Sequence, residues 1–182
     1  MKKLLIPAII FTFFSAGFTL VDDTKESKSA NAVKKGRSEV KWLSFEEAQK
    51  LSEKNPKKVF IDVYTDWCGW CKKMDKTTLK DPIITEYLDK KFYAVKLNAE
   101  SDKKITYKGK EITERQLATN IFKATGYPTT VYLDENLTLL QPISSYLEVE
   151  MLDKILHYYG EDFYKKTSWD TFESVYSTKP SN

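Results

Sequence analysis

The chain has 182 residues, with 29 Lys and Arg against 26 Asp and Glu, one His, two Cys and a formal charge of +3. So even a balance excludes a nucleic-acid binder working through a dense basic face, and 41% apolar with 30% charged residues excludes a disordered chain or a multi-span membrane protein. Two cysteines cannot build the several-bridge framework of a small secreted scaffold, and with one histidine they leave few ligands for a closed zinc site.

Lys2 and Lys3 precede an uncharged run from Leu4 to Val21, and Ser15-Ala16-Gly17 places small residues at the spacing of a signal-peptidase site. Residues 1–21 therefore read as an export signal or, given the length of the run, as an uncleaved N-terminal anchor. Both readings place the rest of the chain outside the cytoplasm, periplasmic or secreted. Loss of Lys2 and Lys3 would lower the net charge from +3 to +1. Residues 22–40 are too poor in apolar side chains to order themselves and read as a flexible linker. A folded domain is expected over 41–160, followed by an extension, 161–182.

Ser44, three residues before Glu47 and ahead of Ala48 and Leu51, opens a helix as a capping box that Asn55-Pro56 ends. Val59 to Tyr64, apolar except for Asp62, reads as a buried central strand. Gly69 to Thr78 suits a helix, and another starts behind Asp81-Pro82 with Ile83, Ile84, Tyr87 and Leu88 as its apolar face. Phe92 to Leu97 is the next strand, and Ile105 to Ile112 a hairpin turning at Lys108-Gly109.

A helix is expected from Glu114 to Thr125, stopped by Gly126 as a left-handed residue. Thr129 to Leu133 and Leu137 to Ile143 are strands joined by a short turn, hence antiparallel. Leu147 to Tyr159 is an amphipathic helix closed by Gly160, and the aromatic residues Phe163, Tyr164, Trp169, Phe172 and Tyr176 imply an extension packed back on the domain. The pattern predicts an α/β fold with a central mixed β-sheet flanked by helices, a small hairpin insertion and a C-terminal helical extension.

The chemistry lies in Trp67-Cys68-Gly69-Trp70-Cys71-Lys72, where a strand hands over to a helix. Cysteines at i and i+3 share one helical face, and a disulfide between them closes so short a loop that it suits exchange better than stapling. Cys68, at the helix N-terminus, is the candidate nucleophile, because free amides and the positive dipole end favour a thiolate. Cys71, one turn inside, is the candidate resolving thiol. A structural disulfide and a metal site are the other readings of the pair. Trp67 and Trp70 flank Cys68 and offer rings to a substrate chain, while Trp67 serves equally well to brace the turn.

These residues resemble the thioredoxin family. Asp62 lies six residues ahead of Cys68 and Trp67 directly before it, Lys96-Leu97-Asn98 resembles the family's next strand, and Gly126-Tyr127-Pro128-Thr129 resembles its cis-proline loop. The resemblance spans about Trp42 to Gly160 and implies a thioredoxin fold. It implies that Asp62 is the buried acid that moves the proton of Cys71, that Lys96 is its charge partner, that Pro128 is the cis-proline facing the disulfide, and that Tyr127, Pro128 and Thr129 bind the substrate. Read alone, Asp62 also fits a paired structural acid, and Lys96 a side chain reaching solvent.

Trp70 departs from the proline usual before the second cysteine. Together with the export signal and the helical stretch after Asp81, it resembles exported relatives of the C-terminal domain of the bacterial transmembrane thiol reductase. This implies an exported, monomeric thiol–disulfide oxidoreductase that reduces or isomerises client disulfides, without a prosthetic group or metal, and draws electrons from a membrane thiol relay. The alternative is a copper or zinc carrier, or a chaperone, using the same fold as a binding module. The lysines of the 101–111 segment read as a solvated surface or a partner-selecting face, and His157 receives no role.

Overall fold

The computed structural model describes residues 39–176. The expected leader, 1–21, most of the linker, and residues 177–182 lie outside them. Strand β1 (Trp42–Leu43) runs directly into helix α1 (Phe45–Lys54). Ser44 accepts a hydrogen bond from the Glu47 amide, and the Glu47 carboxylate accepts one from the Ser44 amide at 2.7 Å, so the capping box is complete. Strand β2 (Lys58–Tyr64), helix α2 (Gly69–Lys76) and a 3₁₀ turn (Thr78–Lys80) lead to α3 (Pro82–Lys91). There Asp81 accepts from the Ile83 amide and Pro82 occupies the first turn, where a missing N–H costs nothing. Strand β3 (Phe92–Asn98) and the hairpin β4 (Lys104–Tyr107) and β5 (Lys110–Thr113) follow. The chain continues through α4 (Glu114–Gln116), a π-helical turn (Leu117–Ile121), β6 (Thr129–Leu133), β7 (Leu139–Ser144), α5 (Val149–Gly160) and α6 (Trp169–Val175).

Five strands form one sheet in the order β1-β3-β2-β6-β7. The first three are parallel to one another, and β6 and β7 are antiparallel. The hairpin makes a separate two-stranded sheet. Because β2 is central it is buried on both faces: Val59, Ile61 and Val63 join the core beneath α1 and the π-turn, while Phe60 joins the core made with α3 and α5. This is the mixed, helix-flanked sheet expected from the sequence.

Several details differ from expectation. The helix expected over 114–125 is a three-residue α-turn continued by a π-turn, because the Phe122 amide bonds the Leu117 carbonyl and drops the Phe122 ring into the core against Phe45 and Tyr107. Its left-handed residue is Lys123 (φ 56°) rather than Gly126, and the Ala124 amide closes on the Ala118 carbonyl. Gly160 does not close α5 with a left-handed turn either, since Asp162 (φ 60°) takes that conformation. A Cβ at Gly160 would lie 2.7 Å from the Tyr87 hydroxyl oxygen, so glycine there lets α5 approach α3. Ile83 is 37% exposed, leaving Ile84 and Leu88 to anchor α3, and Leu137 is a left-handed turn residue before β7.

Within the extension, Phe172 is buried among the rings of Tyr158, Phe163, Trp169 and Tyr176, and the Tyr158 hydroxyl donates to the Thr167 carbonyl. Lys58, at the start of β2, pairs with both Glu135 (2.6 Å) and Asp162 (3.0 Å), tying the end of α5 to the sheet. Phe172→Ala should therefore lower the unfolding free energy by about 3 kcal/mol in urea titration. A loss under about 1 kcal/mol would mean that the extension does not unfold with the domain.

Candidate active site

Strand β2 ends at Tyr64, three loop residues follow, and Cys68 is the N-cap of α2. Cys68 and Cys71 form a disulfide, with Cα atoms 5.3 Å apart. The two residues are equally covered, each 3% exposed, so exposure does not tell them apart. Position does. The Cys71 amide, one of the orphan donors at the helix start, donates to Cys68 Sγ at 3.1 Å, whereas Cys71 lies inside the first turn. On reduction, the same amide and the dipole of this helix favour negative charge on Cys68.

The two-residue period of a strand puts Asp62 on the Phe60 face of β2 and Lys96 on the Ala94 face of β3, and the parallel register sets the two opposite each other. Lys96 Nζ donates to Asp62 Oδ2 at 2.5 Å and also to Asp75 of α2. Asp75 is one turn beyond Cys71 on the same helical face. Lys96 thus links the buried acid to α2 at Asp75, one turn beyond Cys71. Asp62 is 2% exposed and its Oδ1 has no hydrogen-bond partner in the protein.

Burial raises the Asp62 pKa above its ordinary value, and Lys96 only partly offsets this. At Lys96 burial works downward, but the two carboxylates outweigh it, so its pKa also rises. The result is one cation held between two acids, with the buried acid the harder to ionise.

The Tyr127-Pro128 peptide bond is cis. Pairing of Val63 with Thr129 brings this loop alongside the end of β2, where the cysteine loop begins, and the ring of Tyr127 meets Trp67 at 6.0 Å. Thr129 is occupied structurally, since its hydroxyl donates to the Gly126 carbonyl at 2.6 Å and contacts Ser144. Trp67 is 67% exposed and anchored by its indole N–H, which donates to Glu100 at 2.9 Å. Trp70 is 56% exposed and leans the other way, onto Tyr146, with the Lys73 ammonium over both rings. The structure thus brings Trp67 and Tyr127 together and separates Trp70 into a second aromatic ledge.

Of the hairpin lysines, Lys104 pairs with Glu111 and Lys103 lies near Glu46 and Glu114. His157 stacks on Tyr87. Among the described residues, no group of three or more His, Cys, Asp or Glu could hold a metal ion, and no helix is long and apolar enough to cross a membrane.

With this geometry established, the sequence matches the family model of the thioredoxin-like domain over residues 45–160. The chain belongs to the thioredoxin-like family. It is similar to the thiol:disulfide interchange protein DsbD of Haemophilus ducreyi, 33% identical over 88 residues, which are 48% of this chain and 14% of that protein. It is also similar to DsbD of Haemophilus influenzae, 28% identical over 102 residues, 54% of this chain and 16% of the relative. The match therefore spans well under a fifth of either DsbD chain. Among solved structures, a thioredoxin-fold protein from Helicobacter pylori superposes with a TM-score of 0.54 at 20% identity, covering 66% of this chain and 79% of that one. The DsbH oxidoreductase does so with a TM-score of 0.52 at 20% identity, covering 66% and 84%. These two likenesses bear on the fold, which is the thioredoxin fold.

Sequence reading of this thioredoxin-like site missed Asp75, Glu100 and Tyr146. Asp75 had a signal in its four-residue spacing from Cys71, whereas Glu100 and Tyr146 come from distant loops and had none.

Because the folded Asp62 pKa lies above the ordinary value of 3.8, the native state keeps a proton that the unfolded chain has released, and stability falls as pH rises through that window. Asp62→Asn removes this loss. The oxidised variant should be more stable than wild type at about pH 7, with the gap closing as pH falls toward the ordinary carboxylate range, as read by urea unfolding across pH. A variant that is less stable at neutral pH would contradict the assignment.

Proposed function

We propose that this protein is an extracytoplasmic thiol–disulfide oxidoreductase that reduces or isomerises disulfides in client proteins. The observation that carries the reading is the Cys68–Cys71 disulfide at the start of α2, the helix that Asp75 ties to the buried Asp62–Lys96 pair. In the reduced protein, the Cys68 thiolate attacks one sulfur of a client disulfide. The client S–S bond breaks, one client cysteine leaves as a thiolate, and a mixed disulfide forms. Asp62 accepts the proton of Cys71, and Cys71 then attacks Cys68 Sγ. The second client thiolate leaves, and two electrons have passed from the dithiol to the client. In isomerisation the client's own thiol displaces Cys68 instead.

The Trp67–Tyr127 pair beside Pro128, and the Trp70 ledge, supply the surface against which a client chain is received, while the expected contact from Thr129 is ruled out by its burial. Exposed aromatic rings suit that use because they contribute contact area at small entropic cost. No prosthetic group enters the cycle, and the redox equivalent is the cysteine pair itself. The uncharged run of residues 4–21 and the similarity to DsbD support a location outside the cytoplasm with a membrane thiol relay as electron donor, and the proposed acting form is a monomer.

Cys71→Ala removes the resolving step and should accumulate mixed disulfides between Cys68 and clients, visible as reductant-sensitive adducts on non-reducing gels of cells making the variant. Adding Cys68→Ala should abolish them. Cells that yield no adducts with Cys71→Ala, or the same adducts without Cys68, would overturn the assignment.

A further inference from the structure

Trp42 stands in β1, ahead of the region matched by the family, and no step of the proposed cycle uses it. It pairs with Ala94 in the parallel β1–β3 ladder, which sets it on the strand that carries Lys96 two residues further on. Its ring lies 4.9 Å from Lys96 Nζ, and the Tyr64 ring lies 5.1 Å from the same atom. That atom is the one bound to Asp62 and Asp75. Beside it opens a cavity of about 270 Å³, lined by Glu39, Val40, Trp42, Asp75, Lys80 and Lys96 among others.

A lysine on a flexible four-carbon stem leaves a buried partner for water when a path is open, and this cavity is such a path. We propose that Trp42 is a positioning residue for the redox site, its indole face holding the Lys96 ammonium in place between Asp62 and Asp75. The ring attracts the cation directly and also covers it, so that its attraction for Asp62 acts through protein rather than water.

The groups around this cation are few. Asp62 and Tyr64 approach from β2 and Asp75 from α2. Glu39 and Lys80, at the cavity, pair with each other at 3.6 Å. Tyr132 of β6 donates its hydroxyl to Thr130, the residue paired with Asp62. Lys96 is the cation in hydrogen-bond contact with Asp62, so its placement sets how readily the buried acid ionises. The functional consequence rests on the oxidoreductase reading, in which Asp62 takes the Cys71 proton, but the positioning itself does not.

The test titrates Asp62 in the oxidised full-length protein by its carboxyl infrared band, assigned through its disappearance in Asp62→Asn. Trp42→Leu keeps apolar volume but removes the π-face, and should move the Asp62 midpoint up by about half a pH unit or more. Trp42→Phe should move it less than half as far. In a Lys96→Met background, Trp42→Leu should produce no further shift. Tetrafluorotryptophan at position 42 keeps the shape of the indole while cancelling its attraction for cations, so it covers the case in which Trp42→Leu does not fold, and it should raise the midpoint in a protein that remains folded.

A midpoint that stays in place or falls in the leucine and fluorinated variants overturns the proposal, as does a shift that persists in the Lys96→Met background. Since the titration needs no turnover, these results are independent of whether Cys71→Ala traps clients, which decides the oxidoreductase reading.

Discussion

The Lys96 ammonium bridges two neighbouring strands and the helix that carries the cysteines, and the arrangement of the site depends on it. Burying a carboxylate such as Asp62 costs several kcal/mol unless a counter-charge is held close. The parallel register of β2 and β3 supplies that counter-charge at 2.5 Å, and Asp75 brings α2 onto the same cation. Removing Lys96 takes this cation from both acids, whereas removing either acid leaves the other paired with it. The cluster therefore fixes where α2 sits on the sheet, and with it where Cys71 lies relative to the acid.

Beyond this cluster, the fold makes two chemically identical side chains unequal. Exposure does not separate Cys68 from Cys71, but backbone position does: one receives a helix-start amide at its sulfur, and the other lies inside the first turn of the helix. The surface around them is divided as well. Trp67 is locked to Glu100 and Tyr127, while Trp70 is shared with Tyr146 and Lys73 on the opposite side. The Gly-Trp dipeptide between the cysteines thus leads toward the β7–α5 connection, where a proline at position 70 would offer no ring to Tyr146.

Local features were legible in the sequence because they are written in a few adjacent residues. The Ser44/Glu47 box, the Asp81-Pro82 start and the Cys68-Gly69-Trp70-Cys71 turn need only short-range geometry. Asp62 stood out as a charge inside an apolar strand, and register then explained its partner. What sequence could not show depends on distant packing. A two-residue strand such as β1 has no periodicity to detect, so the sequence marks Trp42 as the edge of the domain and assigns it no role at the site. Gly160 was read as a helix stop because glycine commonly ends helices, whereas its reason is the Tyr87 side chain on another helix. The π-turn exists because Phe122 must reach the core, a demand that helix propensity does not register.

The inequality of the cysteines is the central claim, and it can be measured without knowing any client. Reduced protein is treated with less than one equivalent of an alkylating agent, and the labelled cysteine is located by mass spectrometry of the peptide containing both. The structure predicts that the label falls on Cys68 with Cys71 left free. Label divided evenly between them, or concentrated on Cys71, would contradict it.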